Sequence, residues 1–354
     1  MNPKNVNLSG LEVVPAAEVA PPLLDALYDE VFLHRSPFLK KHWRWYYRSA
    51  FFDQQIPLVL RGKDRAIGAS GMIPVKVKMG SEIKTASWYI DFAVTEDFQR
   101  KGLGTILTKK WMSFADMQIT FCNERSIGVF LKLGWTESFQ TYLHVNILKP
   151  FSIPQLASKL PGMVSGFMDL IALPFVKFTY RRFAAPGSDW DVQALNEQNL
   201  TKFVKAYQAG KTEAENTCEV LRDADFINWR LLQSPDRASY RIFHIPGIQA
   251  VFAEKSNNGK YLDILWISDL SDPKLVKRLI ASLSLYGLKN GATYLRFYTS
   301  SRDLSAFCKK DIPGKVRNVR FAYFSKNEAL YAKMKTVNWN WQLIDSDFEN
   351  YEVV

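Results

Sequence analysis

The sequence predicts an α+β fold in two similar halves, and three observations carry that expectation. Short stretches of alternating apolar residues recur between stretches with helical spacing. The order of elements after residue 190 faintly repeats the order before residue 150. The chain has 354 residues, 47% of them apolar, which is enough length and core for about two domains.

The elements follow in order. Residues 21–50 read as helical, with Leu23, Leu24, Leu27, Val31 and Phe32 on one face. Pro57 to Arg61 and Ala66 to Val77 read as strands around the turn GKDRA. In ASWYIDFAV, Trp88, Ile90, Phe92 and Val94 alternate on one face of a strand. A glycine turn and a short helix from Thr105 to Ala115 come next. MQITFC is then a buried strand, NERSIGVFLKLGW a helix closed by Gly134, and SFQTYLHVNIL another alternating strand. Residues 151–188 form an apolar connection, interrupted by Pro161 and Pro174 and closed by Arg181 and Arg182. Its preferred reading is a helical linker between domains 1–150 and 189–354, and its second reading is an interfacial helix touching a membrane surface through 155–182. In the second half SYRIF stands for PLVLR, YLDILWI for WYIDFAV, and GATYLRFYTSSRDLSAF for DMQITFCNERSIGVF. SDLSDPKLVKRLI replaces the glycine turn.

Lys and Arg total 46 against 35 Asp and Glu, a formal charge of +11. Residues 1–150 hold 19 basic and 14 acidic residues, so the excess is spread along the chain. It suits an anionic ligand or surface, and a soluble protein with a high pI is preferred to a nucleic-acid footprint. Cys122, Cys218 and Cys308 give neither a disulfide framework nor a zinc pattern, and the four histidines show no ligand spacing. No metal is expected. The N-terminus lacks the pattern of a signal peptide, and no apolar run reaches the roughly 18–20 residues of a spanning helix. The expected location is the cytoplasm.

The stretch QRKGLGTIL sets the functional question. Basic residues run into two glycines and then into a helix, where the first amides are unpaired and favour an anion. It is not a P-loop, because Gly104 is followed by Thr105-Ile106 where Lys and Ser or Thr would stand. It is not a dinucleotide fingerprint either, because Leu107 occupies the third small position.

A strand, then Gln-Arg-Lys-Gly-Leu-Gly, then a helix, then a strand leading into Asn-x-x-Ser and Leu-Gly-Trp resembles the GNAT acyl-CoA-dependent acyltransferases. Their loop pattern is met by Gln99, Gly102 and Gly104, and their later helix by Asn123, Lys132, Gly134 and Trp135. The match covers about residues 25–148, and the repeated half resembles tandem GNAT proteins found with polysaccharide biosynthesis. The resemblance implies an αβα layering in tandem domains, each a mixed, mostly antiparallel twisted sheet flanked by helices. It implies acetyl-CoA or another short acyl-CoA as co-substrate. The pyrophosphate would rest on Gln99, Arg100, Lys101, Gly102, Leu103, Gly104 and Thr105, and the pantetheine along Phe92, Ala93 and Val94. Asn123, Ser126 and Phe130 would border the same ligand.

The family's chemistry is attack of an amine, or less often a hydroxyl, on the thioester, with a base, an oxyanion donor and an acid for the thiolate. Asp91 is the candidate base; a solvent-facing strand Asp or an arginine partner is the alternative. Phe130 stands where relatives commonly place a Tyr acid, so Tyr142 is the candidate substitute, against an ordinary wet strand face of Gln140, Tyr142, His144 and Asn146. Trp339, Asp345 and Asp347 in the C-terminal WNWQLIDSDFENY suit a saccharide acceptor, although tryptophans are more often core. Cys122 reads as a small buried residue. The leading function is an N-acetyltransferase acting on an amino sugar or polysaccharide precursor. The alternatives are an aminoacyl-tRNA-dependent transferase of peptidoglycan bridges and a non-catalytic acyl-CoA-binding protein.

Overall fold

The computed structural model describes residues 10–47, 57–124, 126–152, 159, 162–209, 216–256 and 260–346. The chain forms two compact units. One is Met1–Phe139 with Arg320–Val337, the other Gln140–Val319 with Asn338–Val354. These units do not follow the 1–150, 151–188 and 189–354 division read from the sequence, because each sheet takes a strand from the other half of the chain.

The first unit opens with β1 (Glu12–Pro15), α1 (Pro21–Val31) and α2 (Ser36–Tyr46). The helical stretch expected over 21–50 is thus split, with Pro22 and Pro37 near the two helix starts, where a missing amide costs nothing. Strands β2 (Leu58–Arg61), β3 (Ala66–Met79) and β4 (Glu82–Val94) follow, then α3 (Leu103–Trp111), β5 (Met117–Cys122), α4 (Ile127–Lys132) and β6 (Thr136–Ser138). Gly134 has φ +85°, as a helix-closing glycine should. Leu103, Leu107 and Trp111 recur every fourth residue along α3 and are all buried. Trp111 lies 4.1 Å from Tyr89 and 5.7 Å from Trp135, ring centre to ring centre. Truncating such a buried tryptophan costs about 3–5 kcal/mol.

After β6 the chain enters the second unit, so the single strand expected over SFQTYLHVNIL is two. There β7 (Tyr142–Ile147), α5 (Gly162–Arg181), β8 (Asp191–Ala194), α6 (Glu197–Ala209), β9 (Thr217–Val220) and α7 (Ala224–Ile227) are followed by β10 (Tyr240–Ile245), β11 (Ile248–Ser256) and β12 (Lys260–Ile267). Next come α8 (Pro273–Lys289), β13 (Tyr294–Thr299), α9 (Arg302–Asp311) and β14 (Gly314–Asn318). The chain then returns to the first unit for β15 (Arg320–Phe324) and α10 (Glu328–Met334), and ends in the second with β16 (Asn338–Asn340).

In the first unit seven strands run β1-β2-β3-β4-β5-β15-β6, antiparallel except for β4 beside β5. In the second they run β14-β7-β13-β12-β11-β10-β8, antiparallel except for β12 beside β13. The strand beside β5 is β15, from the far half of the sequence, and the strand beside β13 is β7, from the near half. The exchanged segment is fastened in the first unit. Tyr331 donates its hydroxyl to the Gly134 carbonyl at 2.6 Å, and Ser325 donates to that of Asp116 at 2.7 Å. The second unit's core gathers around α8, with Leu279, Ile280 and Leu283 packed on Phe252, Leu262 and Leu295.

Candidate functional site

In the turn after β4, Arg100 has φ +61° and Gly102 φ +78°, and Gly102 begins α3 without a side-chain cap. The Thr105 and Ile106 amides return to the Gly102 carbonyl at 3.0 and 3.3 Å. Among the described residues, the amides of Arg100 to Gly104 donate to no backbone carbonyl outside regular helices and strands. Gln99 donates its side-chain amide to the Val94 carbonyl at 2.9 Å, tying the turn to the strand end. Lys101 and Arg65 both lie over the Phe98 ring, 5.4 Å from its centre. An aromatic ring thus holds two cations near the helix start, a role for Phe98 that no motif signalled.

The two glycines do different work. Nothing lies within 4 Å of where a Gly102 Cβ would stand, so the space before that residue is open. A Cβ on Gly104 would meet Phe92 Cζ at 2.7 Å. Within the chain, Gly104 is therefore required by packing against Phe92, whatever ligand the turn accepts. The donors, the helix dipole and the open side of Gly102 fit a pyrophosphate.

The strand before the turn is open on one side. Ala86–Trp88 pair in parallel with Met117–Ile119, and the Thr120 hydroxyl donates to the Tyr89 carbonyl at 2.7 Å. Beyond that point Ala93 and Val94 pair with β3, and Phe92–Val94 have no described β5 partner. This leaves backbone groups where an extended pantetheine could add as a strand. Tyr89, Phe92 and Trp135 surround Phe130, which is only 1% exposed. Phe130 is a core ring here. Asn123 and Ser126 tie each other at the start of α4: Asn123 Oδ1 accepts from the Ser126 amide at 3.0 Å, and Ser126 Oγ from the Asn123 amide at 3.2 Å. Burial pushes the Cys122 thiol up to about 12, so it is no nucleophile.

Asp91 sits on a bulge that breaks the expected alternation of β4. Ala69 faces Ala93 and Gly71 faces Ile90, so Asp91 and Phe92 together oppose Ser70. Asp91 has φ +49° and is 5% exposed. Its Oδ1 accepts from Arg35 Nη1 at 2.5 Å and its Oδ2 from the Tyr47 hydroxyl at 2.6 Å. Burial first, and then the Asp91 charge, hold the Tyr47 phenol well above its usual pKa, so it stays a donor. Gly71 makes this possible, since a Cβ there would stand 2.1 Å from the Tyr47 ring. Arg35, Tyr47 and Gly71 escaped sequence reasoning, which gave residues 21–50 only as a helical stretch and Ala66 to Val77 only as a strand. Their donors occupy one position on each oxygen through which Asp91 would take a proton.

The remaining predicted residues lie in the second unit or outside the described residues. Tyr142 opens β7, which is flanked on both sides by β13 and β14, so the expected wet edge face does not exist. His144 and Asn146 on that face are buried. His144 Nε2 lies 2.9 Å from Ser305 Oγ and its ring stacks on Phe297 at 4.4 Å. Trp339 and Asp345 are not a saccharide platform as placed. Trp339 stacks on the fully buried Trp341 at 5.1 Å, and Asp345, 1% exposed, accepts from Arg222 Nε at 2.9 Å and Nη2 at 2.5 Å. Asp347 lies outside the described residues.

These tail residues fill the second unit's counterpart of the open strand. β12 carries a bulge at the same place as β4 and pairs with β13 only over Tyr261–Asp263, closed by the Asp263–Arg296 ion pair at 2.7 Å. Beyond it, Gln342 accepts from the Ile267 amide at 2.7 Å and donates to its carbonyl at 3.3 Å. At the helix start that follows, Asp272 accepts from the Lys274 and Leu275 amides at 2.8 and 3.3 Å. Its own carboxylate sits where the first unit offers free donors.

Residues 23–135 match the family described as Acetyltransferase (GNAT) family. No curated protein matches the sequence. Among solved structures, the chain is similar to a GCN5-related N-acetyltransferase from Kribbella flavida, at TM-score 0.55 and 10% identity over 89% of this chain and 72% of that one. It is also similar to the N-myristoyltransferase of Saccharomyces cerevisiae with bound myristoyl-CoA, at TM-score 0.56 and 12% identity over 91% and 85%. A GCN5-related N-acetyltransferase from Anabaena variabilis gives 0.54 and 11% over 88% and 72%. Residues 23–135 are thus similar to the GNAT family, and the structural likeness shows a fold shared with these acyltransferases over about nine-tenths of the chain.

Proposed function

We propose that the protein is an acyl-CoA-dependent acyltransferase that binds one coenzyme A, in the first unit, and transfers an acetyl or other short acyl group to an amine. One observation carries the reading: an open strand, Phe92–Val94, leads into a helix start whose amides are unspent. The Arg100–Gly104 donors would hold the pyrophosphate and the open β4 edge the pantetheine. The acceptor nitrogen attacks the thioester carbon, the C–S bond breaks, and the thiolate leaves with the proton the amine has lost. A thiol pKa of about 8.5 makes it a fair leaving group without the tyrosine that Phe130 replaces. An amino sugar or polysaccharide precursor is the acceptor class to test first.

The engaged Asp91 and the buried Phe130 favour one second reading, an acyl-CoA-binding protein without transfer. Calorimetry with coenzyme A, followed by an amino-sugar screen with acetyl-CoA that reads released thiol, separates the two. One site per chain and thiol release support the enzyme. One site without release to any amine supports the binder. Two sites, or none, defeat both.

A further inference from the structure

We infer that α5 lies on an anionic phospholipid surface. Only one face of this helix is held by the second unit. On that face Asp169 accepts from the Phe151 amide at 2.8 Å and from the Ser152 hydroxyl, and the Tyr180 hydroxyl lies 3.3 Å from the carbonyls of Ile147 and Pro313. Leu173 and Val176 pack on the core around α8.

The other face carries Met163, Phe167, Leu170, Ile171, Phe175 and Phe178, exposed by 62–90%. At helical spacing these six fall in one stripe, roughly 140° wide. Soluble proteins scatter their exposed apolar side chains, and a contiguous stripe of this kind marks an interaction surface.

Charge decides among occupants. The helix has a single carboxylate, Asp169, and it points inward. Lys177 and Arg181 edge the stripe, and Arg182 follows at the same end. An apolar stripe with cations at its border and no acid on the helix's exposed face suits acyl chains beneath anionic headgroups, although Arg182 also faces Asp311 of the same unit. A protein partner or a second copy would have to bring its own acidic rim to the same border, and this chain's surplus is positive, +11.

The sequence suggested no apolar run of spanning length, yet α5, at 20 residues, is long and apolar enough to cross a bilayer by length and composition. Its inward face is fastened to the unit from Asp169 to Tyr180, so the stripe meets the membrane lying flat. Pro174 costs the helix one backbone bond without ending it. This surface is independent of the acyl-transfer reading.

The test is co-sedimentation of the full chain with phosphatidylcholine vesicles and with vesicles of equal parts phosphatidylcholine and phosphatidylglycerol. The wild type should bind the anionic vesicles about 10-fold or more tightly than the neutral ones, and lose that preference in high salt. The Phe167→Asp/Phe175→Asp variant should lose about 10-fold or more of the binding while keeping its circular dichroism and urea midpoint, because both side chains are exposed. Lys177→Gln/Arg181→Gln/Arg182→Gln should erase the anionic preference. No binding by the wild type, or undiminished binding by the double Asp variant, overturns the inference. So does self-association abolished by that variant without vesicle binding, which would assign the stripe to a second copy.

Discussion

Replacing Asp91 by asparagine separates an anchoring role from a catalytic one. Asparagine can accept from the Tyr47 hydroxyl and tolerates the left-handed φ of +49°. What it removes is the charge facing Arg35, in a pair whose side chains are 10% and 1% exposed. Breaking a buried pair by removing one partner costs about 3–5 kcal/mol, because the other charge stays desolvated. Asp91→Asn should therefore lower the unfolding free energy of the chain by about 3 kcal/mol in urea titrations. Adding Arg35→Met should recover part of that loss, with a coupling of about 1–3 kcal/mol in the double-mutant cycle. A variant within about 0.5 kcal/mol of wild type whose acyl transfer falls about 10²-fold would refute the anchor and establish Asp91 as the base.

Gly102→Ala should fold, since its Cβ meets nothing within 4 Å, at a cost of about 1 kcal/mol for φ +78°, and should weaken coenzyme A binding measured by calorimetry. Gly104→Ala should instead destabilise the chain by about 1–3 kcal/mol against the Phe92 ring, and Phe92→Leu should relieve part of that loss. His144, lowered to about 4 from 6.5 by burial and then Lys309, stays neutral in the fold while the unfolded chain protonates. Its contribution is therefore complete above pH 6.5 and is lost as pH falls towards 4, about 2 kcal/mol of it by pH 5. His144→Asn should show a flatter fall in urea midpoint between pH 7 and 5 than wild type. Asp272→Ala should cost about 1 kcal/mol as a lost cap and create no second coenzyme A site, because Gln342 still fills the neighbouring strand edge.

The turn at Gln99–Gly104 was legible because its chemistry is local: two glycines, basic neighbours and a helix start stand within a few residues of one another. The strands around it were legible for the same reason, through alternation. What stayed hidden was every arrangement made between distant residues. Asp91 and Arg35 are 56 positions apart, and Asp345 and Arg222 are 123 apart. No local pattern distinguishes a carboxylate awaiting a substrate from one already holding an arginine. The bulge on β4 was unreadable in WYIDFAV, since an extra residue leaves the composition of a strand unchanged. The tail motif misled for a related reason. Tryptophans beside aspartates look the same whether they line a cleft or plug one.

The exchange of β7 and β15 sets a schedule for synthesis. Cys122 on β5 has its neighbour Arg320 on β15, 198 positions later. At about 5–20 residues per second the ribosome needs roughly 10–40 s to supply that strand, and until then β5 keeps an open edge. An N-terminal fragment ending before Trp190 lacks β15 altogether, so it would neither complete its first sheet nor serve as a minimal binding domain. Cutting the gene at the midpoint of the repeat should give two aggregation-prone pieces, soluble only when made together. The two halves of the sequence should therefore fold only as one chain.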